Sequence, residues 1–373
     1  MRGRAFSRSS EVSGDAGTRT EENAAGLPVV GRGRPTMTDV ARIAGVSQTS
    51  VSLVLNRMSG ARISQQTRER VLAVAREIGY APPGARRPRS ATAERNVIAY
   101  IVDELSAGPH PAASLDGARD ASWESGFIVA AHVTRAHPGL EATTIESILR
   151  DPMVAGVIYS TLFTRRVLLP PALRELPTVL LNCRGLDKRL HAVVPGEVAG
   201  AVVATRYLIE RGHRRIGFIN GERWNEASAD RLKGYREALA AADLAFDPGL
   251  VRNGDWLPKR GQSLALELLR SGRPPTAIFC ANDLMAMGAL EAAGKMGLRV
   301  PDDLSIMGYD DQEMSRHTDP PLSTLVLPHY EMGRKAAELL IGLATRGAET
   351  RPATISVEGP LVERFSVADG PGR

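Results

Sequence analysis

Beyond Asn96 the chain keeps one rhythm, in which short β-rich runs alternate with amphipathic stretches of helical length. The runs are Val97–Val102, Val154–Tyr159, Val179–Asn182, Arg215–Asn220, Ala277–Cys280 and Leu304–Gly308. Strands that alternate with helices build βαβ units, so the pattern predicts an α/β fold with a mostly parallel sheet. This stretch holds about 270 residues, enough for two doubly wound lobes whose strand ends face a shared cleft. A cleft of that kind suits a small ligand.

The whole chain has 373 residues, more than one ordinary domain. Hydrophobic residues at 43% and charged residues at 24% match a soluble globular protein. No stretch approaches the roughly 20 unbroken apolar residues of a bilayer helix, so no membrane partner is expected. The first residues are polar and lack the apolar core of a secretory signal, which predicts a cytoplasmic location. Cys183 and Cys280 each stand alone in an apolar stretch. They predict buried thiols, with neither a disulfide framework nor a zinc site.

Charge is distributed unevenly. The net +5 resolves into a neutral residues 1–29, a block 30–95 with twelve Arg against four acids, and a remainder with 31 basic and 34 acidic residues. A net +8 confined to one short block is the footprint of a module that binds a polyanion, joined to a nearly neutral body. Residues 1–33 have no apolar period and predict a disordered tail. Residues 34–81 form the basic domain, the Pro- and Arg-rich 82–95 a hinge, and 96–368 the large domain.

Within the basic block, Thr36 is placed to cap a short helix whose Val40, Ile43 and Ala44 share a face until Gly45 ends it. Ser47 caps a second helix with Val51, Val54 and Leu55 at spacings of three and four. The two stripes are joined only by Ala44-Gly45-Val46-Ser47, which makes a helix-turn-helix whose second helix can enter the major groove. Ser64 and Thr67 open a third helix, where Val71, Leu72, Ala75 and Ile78 are expected to close the core. Gln48, Thr49, Ser50 and Ser52 lie on the polar face of the second helix.

The run from Met37 to Asn56, MTDVARIAGVSQTSVSLVLN, resembles the headpiece of the LacI/GalR family of bacterial repressors, and Glu77-Ile78-Gly79-Tyr80-Ala81-Pro82 continues it in family order. The resemblance implies that Gln48, Thr49 and Leu53 read bases, while Thr38, Ser47, Ser50, Ser52 and Asn56 belong to the DNA surface, the serines and Asn56 at phosphate-contact positions. Leu53 departs from the Arg or other polar residue of many relatives, and an aliphatic chain can touch a thymine methyl but cannot hydrogen-bond a guanine edge. The hinge departs as well. Arg86 stands where relatives carry Ala, and Arg89 stands where they carry a Leu that wedges into the minor groove. Pro88 removes a helical hydrogen bond. Arg86, Arg87 and Arg89 therefore predict binding by charge and groove width.

Family resemblance extends over the large domain through Leu115-Asp116-Gly117-Ala118, the run Leu208–Ile216, Arg231-Leu232-Lys233-Gly234-Tyr235, the run Ala281–Leu290, and Gly308-Tyr309-Asp310-Asp311. It implies a periplasmic-binding-protein-like, two-lobed sensor. Arg231, Trp256, Asn282 and Asp310 are the implied effector contacts. A flat indole, two charged clamps and an amide suit a polyhydroxylated ligand, with a sugar or sugar derivative favoured. Two segments depart from relatives: Gly108-Pro109-His110-Pro111 replaces an aromatic loop, and Gly196-Glu197 replaces Asp-Asn before a helix. His110 is read as solvent-side loop chemistry. The adjacent acids Asp302-Asp303 and Asp310-Asp311 are expected to point apart.

The resulting expectation is a ligand-responsive, sequence-specific transcriptional repressor, a homodimer on a pseudopalindromic double-stranded operator, without cofactor, metal or catalytic residues. A constitutive architectural DNA-binder would not need the sensor. A transporter's solute-binding protein would need a signal peptide and no headpiece. An enzyme would need a phosphate loop, a nucleophile with its base or metal-ligand spacing, and none is found.

Overall fold

The computed structural model describes residues 36–55, 63–78, 80, 95–346 and 351–371. The expected tail and the hinge arginines fall outside them. The chain divides into two compact units, Met1–Pro88 and Arg89–Arg373.

In the smaller unit, α1 (Met37–Ala44), α2 (Gln48–Leu55) and α3 (Gln65–Glu77) form where the apolar stripes place them. Thr36 Oγ1 accepts the Asp39 amide at 3.3 Å while Asp39 Oδ2 accepts the Thr36 amide at 2.9 Å. This reciprocal capping box satisfies two of the N–H groups that a helix start otherwise leaves unpaired. At the other end Gly45, with φ 62, takes the left-handed conformation that stops α1 and lets the chain turn directly into α2. Ser47 Oγ accepts the Ser50 amide and Ser64 Oγ the Thr67 amide, each at 3.1 Å. Val40, Ala44, Val51, Val54, Val71, Val74 and Ala75 make the core. Leu72, expected inside, is 37% exposed, and Ile43 only packs at the rim of the core. Val71, Ala75 and Ile78 pack as expected, and Val74 takes the place expected of Leu72.

The larger unit begins β1 (Val97–Val102), α4 (Pro109–Glu124), β2 (Ile128–Val133), α5 (Pro138–Arg150), β3 (Val154–Val167), β4 (Thr178–Gly185) and β5 (His191–Pro195). It continues α6 (Glu197–Glu210), β6 (Ile216–Asn220), α7 (Glu226–Ala241), β7 (Val251–Asn253), α8 (Pro258–Leu269), β8 (Ala277–Cys280), α9 (Asp283–Lys295) and β9 (Ser305–Met307). It closes with β10 (Thr324–Leu325), α10 (His329–Arg346), β11 (Thr354–Val357) and β12 (Leu361–Val362). The first lobe's sheet has the order β11-β5-β4-β3-β1-β2 and the second β7-β6-β8-β9, with every neighbour parallel. β10 and β12 pair separately and antiparallel.

Among the described residues the chain crosses between lobes three times, at Gly196, at Pro328 and over residues 358–360. In each sheet the connections leave in opposite directions from one pair of neighbouring strands, β1/β3 in the first lobe and β6/β8 in the second. Ligands in open parallel sheets bind beyond the carboxyl ends of strands at such reversal points. The crossings hold those ends together. In the first lobe α4 and α10 touch backbone to backbone, because a Cβ at Gly117 would overlap the Tyr330 carbonyl and one at Gly333 the Ser114 carbonyl. That close crossing sets His329, at the start of α10, against α4. Cys183 and Cys280 are free and fully buried, and burial pushes the Cys183 thiol up to about 12.

Candidate functional site

Arg231 on α7, Asn282 at the start of α9, Asp310 after β9 and Trp256 after β7 come together at the carboxyl edge of the second sheet, as the β6/β8 reversal requires. Arg231 is 3% exposed, and its fork clasps Glu197 of α6, Nε to Oε2 at 2.6 Å and Nη2 to Oε1 at 2.9 Å. Nη1 donates to the Ala281 carbonyl and lies 3.8 Å from Asp310 Oδ1. The guanidinium carbon stands 3.8 Å from the Tyr309 ring centroid and 5.6 Å from that of Trp256. Burial alone would favour losing this charge, but Glu197, Tyr309 and Asp310 hold the guanidinium above its ordinary pKa.

Asn282 Oδ1 accepts the Met285 amide at 2.9 Å, capping α9, while Nδ2 donates to the Trp256 carbonyl at 3.0 Å. The cap leaves one amide N–H and one lone pair for a ligand. Trp256 packs its ring on Gly221, where a Cβ would overlap it. Its indole Nε1 is buried without a partner. Trp256 has φ 68 and Asp310 φ 113, a region that bulky L-residues seldom occupy and that recurs at ligand sites.

The first lobe contributes what the sequence reading did not assign. His110 lies in the first turn of α4, not in a solvent-side loop, with Nε2 3.4 Å from Asp310 Oδ2. Pro109 fixes the start of the helix and aims His110 inward. Its ring stacks on His329 at 4.9 Å, whose Nδ1 hydrogen-bonds Ser114 Oγ at 2.9 Å. Burial, and then His110, push His329 down to about 3, so this imidazole is neutral. Asp310, though buried, is held below the usual carboxylate range by His110 and Arg231. Beside it Asp283 accepts the Thr324 hydroxyl at 2.6 Å and the Gln312 amide at 2.8 Å. Burial, with Asp310 next, pushes Asp283 up to about 8. A cavity of about 360 Å³ opens on His110, Asp310 and His329 beside the crossings at Leu327 and Pro360.

Two further contacts join the lobes: Phe163 of β3 meets Trp224 edge-on at 5.5 Å, and Arg184 of β4 bonds Glu226 of α7 at 3.0 Å. Asp311 turns away from Asp310 to Arg364 at 2.5 Å, as expected of adjacent residues. Asp302 and Asp303, in contrast, both converge on Arg299, at 3.1 and 3.0 Å. Both fall within a turn of Arg299, and its long guanidinium reaches each of them. Among the described residues no group of three or more His, Cys, Asp or Glu is placed to hold a metal ion, and no helix is long and apolar enough to cross a membrane.

On the smaller unit Thr38, Ser47 and Gln48 are exposed and Ser50, Ser52 and Leu53 half-buried. Gln48 Nε2 donates to Thr38 Oγ1 at 2.6 Å, so α1 and the start of α2 share one polar surface. The backbone of Thr49 lies in α2 beside them. Asn56, Arg86, Arg87 and Arg89 lie outside the described residues.

Residues 36–83 match the family described as bacterial regulatory proteins of the lacI family, and residues 205–367 a periplasmic binding protein-like domain. The regulator CelR of Thermobifida fusca is 36% identical over 344 residues, 90% of this chain and 99% of that one. The repressor PurR of Proteus mirabilis strain HI4320 is 32% identical over 340 residues, 90% and 98% of the two chains. Among solved structures, a CelR–cellobiose complex matches with TM-score 0.62 and 33% identity, covering 89% of this chain and all of that one. The Lac repressor dimer bound to operator matches with TM-score 0.61 and 25% identity over 90% of this chain and all of that one. A helix-turn-helix unit, a two-lobed ligand-binding fold and relatives spanning nearly the whole chain lead to one conclusion: this protein belongs to the lacI family of bacterial regulatory proteins.

Proposed function

We propose that the protein is a homodimeric repressor that reads a pseudopalindromic operator through α2 and is controlled by a small polyhydroxylated effector held at Arg231, Trp256, Asn282 and Asp310. It acts by binding and not by turnover, as its repressor relatives do. The observation that carries the effector reading is the convergence of the buried Arg231, Asn282 and Asp310 with the half-buried Trp256, whose indole N–H is buried and unpartnered. A buried donor without a partner calls for an explanation, and a ligand hydroxyl supplies one. The relative crystallised with cellobiose favours a carbohydrate.

A thermal-shift screen of the full chain against sugars and nucleosides tests this. A ligand that binds only the folded state adds about 2.7 kcal/mol at a hundredfold excess over its Kd. Asp310→Ala should abolish that response. An unchanged ligand midpoint in the variant would remove Asp310 from the effector site. An effector reaches the operator only through differential affinity for two states, so a tenfold preference shifts operator binding by about 1.4 kcal/mol per site.

At the DNA, one short helix reads few base pairs, and a two-fold pair of half-sites supplies the rest. Gln48→Ala or Thr49→Ala should relax base preference at particular operator positions, whereas Ser50→Ala should weaken all sequences alike. A uniform loss for all three in a randomised-site selection would reject the division between base-reading and phosphate-contacting residues.

A further inference from the structure

The guanidinium among the four proposed effector contacts has its Nε/Nη2 edge already filled by a carboxylate. Arginine recognises phosphate and carboxylate by presenting two N–H groups of its planar fork in parallel. The Nε/Nη2 edge of Arg231 is already filled by both oxygens of Glu197, at 2.6 and 2.9 Å. Nη1 donates to the Ala281 carbonyl and faces a second carboxylate, Asp310, at 3.8 Å. Tyr309 covers one face of the plane and Trp256 stands 5.6 Å away. Glu197 is itself 3% exposed, so no solvent competes for the fork.

Charge points the same way. Arg231 stands against Glu197 and Asp310, and His110, 3.4 Å from Asp310, adds one charge only when protonated. The neighbouring His329 is neutral, and on the second lobe Asp283 adds a further carboxyl. Arg231, Glu197, Asp310 and His110 together therefore sum to no better than zero. An anionic ligand would lose its hydration and meet a guanidinium already offset by Glu197, a penalty that attraction must offset for any buried charge. A neutral hydroxylated ligand meets what it needs: the Asp310 carboxylate as acceptor, the indole N–H of Trp256 and the second amide N–H of Asn282 as donors.

We propose that Glu197 is the specificity-determining residue of the effector site, occupying Arg231 so that the site takes uncharged polyhydroxylated ligands and rejects their phosphorylated and carboxylated counterparts. This rests on the reading that Arg231, Trp256, Asn282 and Asp310 hold the effector. Glu197 lies at the start of α6, just past the first crossing, so one substitution at that position resets which ligands the sensor admits. Specificity arises here from a repulsive element as much as from attractive ones.

The test uses inorganic phosphate as the probe, on the full chain, with sodium chloride at matched ionic strength as the control. Phosphate should stabilise the wild type no more than chloride does. Glu197→Gln keeps the size of the side chain but frees the charge of the fork, and should bind phosphate saturably, roughly tenfold or more tighter than the wild type. The gain should vanish in the double variant Glu197→Gln with Arg231→Met. A role limited to holding the fold would lower stability without creating an anion site. If Glu197→Gln does not fold, Glu197→Asn, shorter and equally uncharged, should show a gain of the same kind. Saturable phosphate binding by the wild type that disappears in Arg231→Met would overturn the proposal, as would a folded Glu197→Gln with no gain. In a paired screen of glucose, glucose 6-phosphate and glucuronate, stabilisation of the wild type by either anion through Arg231 would also overturn it. Failure of every carbohydrate would reject the carbohydrate reading, while the phosphate measurements would still decide the role of Glu197.

Discussion

Replacing Arg231 by methionine should destabilise the larger unit by about 3–5 kcal/mol, the loss found when one partner of a buried ion pair is removed. The side chain is not a surface cation whose loss water would absorb. It fixes Glu197 through two hydrogen bonds, supplies a donor to the Ala281 carbonyl and lies over the Tyr309 ring. Methionine fills much of the volume but leaves the Glu197 carboxylate buried, charged and without its partner. The double variant Arg231→Met with Glu197→Leu removes both charges and should recover most of the loss, because an apolar pair of similar volume is often as stable as the ion pair it replaces. All three tryptophans, Trp123, Trp224 and Trp256, lie in the larger unit, so tryptophan fluorescence during urea unfolding of the full chain reports on that unit. A single variant whose midpoint matches the wild type would show that the pair contributes little. A double variant no more stable than the single would show that packing, not charge, is what Arg231 supplies.

Sequence periodicity made the elements legible where a face is buried. β1, β8 and the headpiece helices are apolar in an unbroken run or at helical spacing, because a parallel strand covered on both faces, or a short helix with one buried stripe, leaves that imprint locally. β2 was missed because it is an edge strand: Ile128 is 49% exposed and the strand carries no unbroken buried run. β5 ends in Pro195, and β7 has three residues, all only half-buried. The four effector candidates came from family order and not from spacing, and the structure brings them into one cluster. The partners that give the cluster its character were not legible. Ser114 and His329 stand 215 residues apart, and nothing local in either segment records that the α4/α10 crossing places them in contact. Glu197 was visible as a departure at a helix start, but its pairing with Arg231 across α6 and α7 depends on tertiary packing. Asp283 directly follows Asn282, and the signal there was available: an acid at the first position of a helix that leaves an apolar strand is either capping that helix or buried with it.

Asp283 and His329 should give the larger unit opposing responses to pH. Asp283 is 1% exposed, and burial, followed by the charge of Asp310 and also that of Asp311, raises its pKa from 3.8 to about 8. The native state therefore keeps a proton that the unfolded chain releases, and stability varies with pH as the difference in bound protons between the unfolded and native states. The contribution of Asp283 is fully present below 3.8 and is lost as pH rises towards 8. His329 runs the other way, because burial, then His110, lower its pKa from 6.5 to about 3. Its contribution is present above 6.5 and is lost as pH falls towards 3. Between about 4 and 6.5 the unfolded state gains one proton at the histidine and loses one at the aspartate, so the two slopes cancel. Above 6.5 only Asp283 remains, and its share of stability falls by up to about 1.4 kcal/mol per pH unit. Asp283→Asn keeps an acceptor for the Gln312 amide and offers an N–H to the Thr324 hydroxyl, matching the protonated acid. The variant should gain on the wild type steadily from pH 6.5 to 8 in urea midpoints read by tryptophan fluorescence. His329→Gln should instead lose its difference from the wild type only on the acid side. A wild-type minus Asp283→Asn difference that stays flat from pH 6.5 to 8 would place the charge of Asp283 in the native state at neutral pH. The Thr324 hydroxyl and Gln312 amide would then have to stabilise a buried carboxylate despite the neighbouring Asp310.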